Sequence, residues 1–320
     1  MTVENVKDIK KVVCLGGGVI GSSWAITFAM HGLEVVLRDL NEELLEKAKT
    51  LMNKSLDALE EYQAIDKEKR AEILARIHMT TSMEEALTDA HFVQENGPER
   101  LEIKRSILAE VDQYAPDAIY ASSTSGLLVT DIAAESAHPE RCVGAHPYNP
   151  PHLIPLVEIT KGEKTDEKVV DLVYAFYQSI GKEAVHLKKE CPGYIANRLQ
   201  LALYREMIDL VMRGVCTVED VDKALVYGPG IRWAIFGHNM IMELGNPKGF
   251  IGMVDMLGKG GDVWLADMAR WTEMPDIRCF DEGVKEEMKH FPAFKGNDHD
   301  SCAKFRDQAL IEILKIHHKL

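Results

Sequence analysis

Residues 11–21 read KVVCLGGGVIG, a β-branched run that breaks into a glycine turn and resumes as helix. Each glycine of Gly16-x-Gly18-x-x-Gly21 has a mechanical task. Gly16 allows the tight turn, Gly18 lets a pyrophosphate approach the backbone, and Gly21 lets helix pack on strand. Val19 and Ile20 fall at the helix N-terminus, whose free N–H groups and positive dipole end suit phosphate. Taken alone, the pattern also fits an ordinary glycine-rich turn. The next strand, residues 33–39 (LEVVLRD), narrows the choice. It ends in Asp39, 18 residues after Gly21, where an acid holds ribose hydroxyls. The expected cofactor is NAD, because a carboxylate there repels the 2′-phosphate of NADP. Arg38 is the neighbouring cation that could receive that phosphate, but successive strand residues point to opposite faces.

Further along, residues 79–81, 90–94, 118–122, 142–145 and 156–159 read as short strands, with helices between most of them. Asn41 caps one of these helices, and acids fill its first turn, as the helix dipole prefers. Strands alternating with helices imply a mostly parallel sheet covered on both faces. The pattern changes at Cys191-Pro192-Gly193, after which a long amphipathic helix over residues 194–214 opens a helical remainder. The expected fold is α/β: a Rossmann-like, doubly wound, mostly parallel sheet over residues 1–190, then an all-helical domain over 191–320.

Bulk properties exclude several functions. A net charge of −14 over 320 residues argues against nucleic acid or an anionic membrane as partner. The six cysteines are scattered without a C-x-x-C pair, so neither a metal site nor a disulfide framework is expected. The N-terminus lacks the apolar core of a signal peptide, and no apolar run reaches the roughly 18–20 residues of a membrane span. These features point to a soluble, cytoplasmic protein.

The catalytic candidates lie in residues 145–159, AHPYNPPHLIPLVEI. Glu158 sits among Leu156, Val157 and Ile159, where a buried carboxylate needs a partner. His146 is that partner, an imidazole the acid would orient and make more basic. Read alone, the two residues fit a structural pair equally well. His152 sits among prolines and reads as a loop surface residue. SSTSGLL, residues 122–128, follows a strand at the edge where doubly wound sheets place ligands. Ser125 there suits either a substrate oxygen or a turn. Asn197, near the start of the long helix, suits either a substrate hydrogen bond or a solvated surface.

GGGVIG, SSTSGL, HPYNPP with LVEI, and PGYIANR together resemble the L-3-hydroxyacyl-CoA dehydrogenase family in order and spacing along the chain. The resemblance implies a Rossmann-like first domain, a helical second domain that forms a homodimer, and NAD as cofactor. By motif match it implies His146 as general base, Glu158 as its partner, and Ser125, Asn149 and Asn197 as surrounding polar groups. Glu95, Ser123 and Glu99 fall on the cofactor side of the cleft by the same match.

One segment departs from the acyl-CoA enzymes. Residues 228–237 read GPGIRWAIFG, where those enzymes carry an uncharged turn. Arg232 is suited to fork a free substrate carboxylate, or else to form an internal salt bridge. This element resembles the branch that holds L-carnitine dehydrogenase, L-gulonate 3-dehydrogenase and lambda-crystallin. Trp233, Phe236 or Tyr194 could wall a quaternary ammonium, or serve as core. The helical excursion after the second strand reads LDALEEYQAIDKEKR, acidic where the acyl-CoA members meet the CoA phosphate with lysines. The implied reaction is therefore NAD-dependent oxidation of a polar 3-hydroxy acid. A 3-hydroxyacyl-CoA substrate and a non-catalytic, crystallin-like role are the alternatives.

Overall fold

The computed structural model describes residues 3–319, which divide into two compact units. The first holds the described residues up to 197 together with those from 310 onward; the second holds residues 198–309.

The first unit is built on one eight-stranded sheet of order β3-β2-β1-β4-β5-β6-β7-β8. Its strands are β1 (Lys11–Leu15), β2 (Glu34–Arg38), β3 (Ile77–Thr80), β4 (Phe92–Glu95), β5 (Ile119–Ser122), β6 (Cys142–Pro147), β7 (Leu156–Lys161) and β8 (Glu183–Leu187). Every neighbouring pair is parallel except β6 and β7, which run antiparallel. The doubly wound, mostly parallel architecture read from the sequence is the one found. The strand β8 was not legible, because EAVHL at the sheet edge is only partly buried and carries no clear apolar alternation.

β1 accounts for the two-sided core. Val12 and Cys14 enter one apolar cluster and Val13 and Leu15 the other, since alternate side chains point to opposite faces. The first cluster is covered by α1 (Val19–Met30) and α2 (Glu42–Glu61), which α3 (Lys67–Ala75) follows. The second lies beneath α4 (Met83–Leu87), α5 (Leu101–Tyr114) and α6 (Val129–Ile132). α7 (Glu167–Ser179) adds Phe176 and Tyr177 to an aromatic cluster with Trp24, Phe28 and Phe92. Asn41 caps α2 by accepting from the Leu44 amide at 3.0 Å. The direction of winding reverses between β1 and β4, the crevice where such sheets bind dinucleotides.

α8 (Ala196–Met212) begins in the first unit and continues into the second. The second unit contains α9 (Val218–Leu225), α10 (Ile231–Trp233), α11 (His238–Leu244), α12 (Gly249–Asp267), α13 (Phe280–Lys289) and most of α14 (His299–Ile316). A π-type turn over Val226–Gly230 leads into α10, and α12 kinks at Gly258. Within residues 198–309 only Ile208, Gly252, Ala269 and Glu287 are buried. Leu201, Ile251, Val263, Trp264 and Leu265 all stand more than half exposed. The end of α14 differs: its Ile311 and Leu314 sit in the core of the first unit.

Candidate active site

The parallel strands β1, β2, β4, β5 and β6 all end at one edge, so the residues that follow them converge there. Gly16 follows β1 with φ +93, a conformation a side chain would strain, and a Cβ on it would lie 2.9 Å from Asn96 O. A Cβ on Gly21 would meet Gly16 O at 1.8 Å, so the helix–strand contact requires glycine there. Gly18, the N-cap of α1, has no protein atom within 4 Å of where a Cβ would stand. No acid occupies the first turn of α1, and the exposed Val19 and partly buried Ile20 open the helix. The turn thus presents an uncrowded backbone and an unneutralised helix N-terminus, which fits a pyrophosphate.

Asp39, just beyond β2, accepts from Gly17 N and Leu40 N, each at 2.7 Å. These bonds fix the carboxylate at the tip of the strand. Arg38 is tied to the neighbouring strand end, its Nε donating to Thr81 O just beyond β3 at 3.3 Å.

The two acids of residues 93–99 have different surroundings. Glu95 is fully buried and accepts from Lys104 Nζ at 3.0 Å on both oxygens, from Tyr120 and Ser122 hydroxyls, and from Gly97 N. It cannot line a cofactor surface, because all its acceptor sites are spent inside the fold; it supports the loops from below. Sequence reading missed Lys104, although Lys104, Leu108 and Val111 lie on one buried stripe of α5. A lysine on an apolar stripe signals an internal acid. Removing either member of this pair strands the other, at a cost of about 3–5 kcal/mol.

Glu99 is partly exposed. Its Oε1 accepts from Thr124 Oγ1 at 2.7 Å and from the amides of Ser125, Gly126 and Leu127 at 2.9, 2.8 and 3.2 Å. Burial works to raise the carboxyl pKa, but these bonds and the Lys104 charge hold it below the ordinary range. Glu99 therefore moulds the loop that presents the exposed Ser125. Ser123 Oγ bridges Gln94 Nε2 at 2.9 Å and Asn96 Oδ1 at 2.8 Å.

His146 and Glu158 come together. They are register partners on β6 and β7, both buried, with Nδ1 3.0 Å from Oε2. The other oxygen of Glu158 accepts from Ile195 N at 2.8 Å and Ala196 N at 3.0 Å, at the start of α8. Burial alone would raise this carboxyl, but the imidazole and the two amides keep it below the usual carboxylate range. An ionised carboxylate only accepts, so Nδ1 carries the proton and Nε2 is left as the free basic nitrogen. Asn197 Nδ2 lies 3.5 Å from that Nε2. Tyr194, which sequence reading left among aromatic walls or core, stacks on the imidazole with centroids 4.9 Å apart.

The loop between β6 and β7 carries the exposed Asn149 and a cis peptide to Pro150. Contrary to expectation, His152 is only partly exposed and is tied into the fold. Its amide donates to Ser23 Oγ at 2.7 Å, and the same hydroxyl shares a hydrogen bond of 2.7 Å with Nδ1, tying the loop to α1. Lys182 is buried, donates to the carbonyls of Pro151 and Ile154, and lies over the Trp24 ring.

In the second unit, Arg232 and Trp233 belong to α10 and are exposed. Among the described residues no carboxylate pairs with Arg232, so the internal salt bridge is not found. Trp233 Nε1 donates to His238 Nδ1 at 3.1 Å. No group of His, Cys, Asp and Glu suited to a metal ion occurs among the described residues.

Known families account for this arrangement. Residues 11–191 match the model of the 3-hydroxyacyl-CoA dehydrogenase NAD-binding domain, and residues 193–240 match the C-terminal domain of the same enzymes. The chain belongs to the 3-hydroxyacyl-CoA dehydrogenase family. It is an NAD-dependent dehydrogenase. It is 36% identical to an L-carnitine dehydrogenase of Streptomyces griseus over 97% of this chain and 90% of that one. It is 34% identical to a 3-hydroxyacyl-CoA dehydrogenase of Gibberella moniliformis, over 98% and 97% of the two chains. Among solved structures, it resembles 5-formyl-3-hydroxy-2-methylpyridine 4-carboxylic acid 5-dehydrogenase, an NAD-dependent dismutase. That match has a TM-score of 0.79 and 27% identity, over 97% of each chain.

Proposed function

We propose that the chain oxidises the 3-hydroxyl of a polar free acid, of carnitine or gulonate type, with His146 as general base. The observation that carries this reading is the buried His146–Glu158 pair, which leaves Nε2 free beside the Asn197 amide. Nε2 takes the hydroxyl proton while Glu158 steadies the imidazolium that forms. Asn197, Ser125 and Asn149 hold the substrate oxygen and its neighbours at the angle the transfer needs. NAD, when bound, supplies the hydride acceptor. In the reverse direction the imidazolium returns its proton to the developing alkoxide. Gly16, Gly18, Val19, Ile20, Gly21, Asp39 and Ser123 form the proposed cofactor site. Glu99 joins it through the loop it moulds.

The free-acid reading draws on Arg232, an exposed guanidinium that pairs with no carboxylate among the described residues and whose fork matches a carboxylate. Trp233 beside it offers an aromatic face for a quaternary ammonium. The excursion points the same way. Its Arg70 is engaged with Asp57 at 2.5 Å and Asn53 at 3.0 Å, rather than free for a CoA phosphate. The Gibberella relative favours the acyl-CoA alternative. The intact base pair speaks against a non-catalytic role.

The second unit supports a homodimer: with four buried residues it has almost no core of its own, and its apolar side chains stand open. All six cysteines are free, which suits a reducing cytoplasm. The test of the base assignment is His146→Gln. NADH affinity should persist while kcat falls about 10²–10⁴-fold. Turnover near that of the parent would remove His146 from the role.

A further inference from the structure

Tyr194 occupies a conformation that a tyrosine rarely adopts. Its φ is +51, in the left-handed region, and Gly193 before it has φ +78. The turn is closed by Tyr194 N donating to Cys191 O at 3.0 Å. Such strain persists only when the surroundings over-determine it.

Two contacts around the ring do so. The side chain is 2% exposed and its ring lies on the His146 imidazole, with centroids 4.9 Å apart and planes 26° from parallel. Tyr148 meets the same imidazole edge-on at 6.3 Å, so the His146 ring has one stacked and one perpendicular aromatic neighbour. The Tyr194 hydroxyl reaches Gly144, where a Cβ would lie 2.5 Å from it. That residue of β6 therefore leaves the space the tyrosine fills.

The buried hydroxyl finds no hydrogen-bond partner among the described residues. Burial and the carboxylates of Glu99, Glu158 and Glu190 push its pKa far above the ordinary range, so it stays a neutral phenol. It is the ring and the backbone of this turn, rather than the hydroxyl, that meet the His146–Glu158 pair.

The backbone has its own effect. Left-handed geometry at residue 194 turns the chain so that the next two amides, Ile195 and Ala196, both donate to Glu158 Oε1 at 2.8 and 3.0 Å. Oε2 is then left for His146, and the residue after those amides is Asn197.

We propose that Tyr194 is a positioning residue for the His146–Glu158 pair. Its ring fixes the plane of the imidazole, and its left-handed backbone aims the two amides that hold the carboxylate. The proposal rests on the reading of His146 as general base, and the test separates the two.

The experiment compares Tyr194→Phe, Tyr194→Leu and His146→Gln for kcat, KM, thermal midpoint, NADH binding and the pH profile of kcat/KM. Tyr194→Phe keeps the ring and removes the unpaired hydroxyl. It should hold kcat/KM within about twofold and keep or raise the thermal midpoint. Tyr194→Leu keeps apolar bulk and loses the ring. It should bind NADH as before, lower kcat about tenfold or more, and move a limb of the pH profile by about half a unit or more. Tyr194→Met serves the same comparison if the leucine variant does not fold. A leucine or methionine variant with a lowered thermal midpoint but unchanged kcat and pH profile would make Tyr194 mere core and overturn the proposal. So would a large loss of kcat in Tyr194→Phe. Retained turnover in His146→Gln overturns the base assignment itself, whatever Tyr194 does.

Discussion

His146 and Glu158 face each other across the antiparallel β6–β7 ladder, with Nδ1 3.0 Å from Oε2. Antiparallel pairing is what makes the contact direct. The chain leaves β6, turns through a proline-rich loop, and returns so that residue 158 stands opposite residue 146. The second carboxylate oxygen is taken by two amides at the start of α8, so the imidazole, the acid and Asn197 share one frame.

Glu158→Gln removes the charge that steadies the imidazolium but keeps the shape. It should lower kcat about 10–10³-fold, leave NADH affinity unchanged and move the pH profile of kcat/KM. An unchanged profile in steady-state kinetics would separate the acid from the chemistry.

Asp39→Ala should narrow the preference for NAD over NADP, mainly through KM, because the lost interaction is equal in ground and transition states. The change also frees Gly17 N and Leu40 N, so NAD itself should bind less tightly. Cofactor titrations measure both. A parent enzyme that prefers NADPH would contradict the role given to this strand end.

Below pH 7, His152 and the lowered carboxylates should each remove stability on acidification, in separate windows. Burial, with the Lys182 charge, pushes His152 down to about 4 from its ordinary 6.5. The unfolded chain therefore binds the extra proton first, and stability drains as pH falls from about 6.5 to 4. Glu99 and Glu158 lie below their ordinary 4.5, so what they contribute is present above that pH and lost as pH falls through their lowered values. Urea unfolding at a series of pH values measures both. His152→Asn should flatten the upper window and leave the lower one, and a slope unchanged in that variant would refute the assignment.

Arg232→Met should cost about 30–1000-fold in kcat/KM for a free hydroxy acid, the worth of a charge-assisted bidentate pair at roughly 2–4 kcal/mol. Arg232→Lys should recover only part, since an ammonium cannot reproduce the planar fork. Equal losses on a free acid and on a 3-hydroxyacyl-CoA would take the carboxylate role away.

The parts of this fold that were legible in the sequence are those with a local signature. The glycine turn at 16–21, Asp39 at a strand end and the Asn41 cap each depend on residues within a few positions of one another. His146 and Glu158 were legible as well, because a carboxylate between Val157 and Ile159 demands a partner. The contacts that were not legible join distant segments through ordinary residues. Ser23 and His152 are 129 positions apart, and nothing in either stretch announces the other. Tyr194 reads as the start of a helix, whereas α8 begins at Ala196 and the tyrosine turns left-handed before it. Glu95 reads as a cofactor-side acid until Lys104 is seen beneath it.

The proposed reaction is oxidation by NAD of a free 3-hydroxy acid rather than a CoA thioester. The most direct test is NADH formation by the parent enzyme at saturating NAD, with L-carnitine, L-gulonate, L-3-hydroxybutyrate and 3-hydroxybutyryl-CoA compared by kcat/KM. A polar free acid should be turned over with the highest kcat/KM of the set. An enzyme that oxidises only 3-hydroxybutyryl-CoA would contradict it.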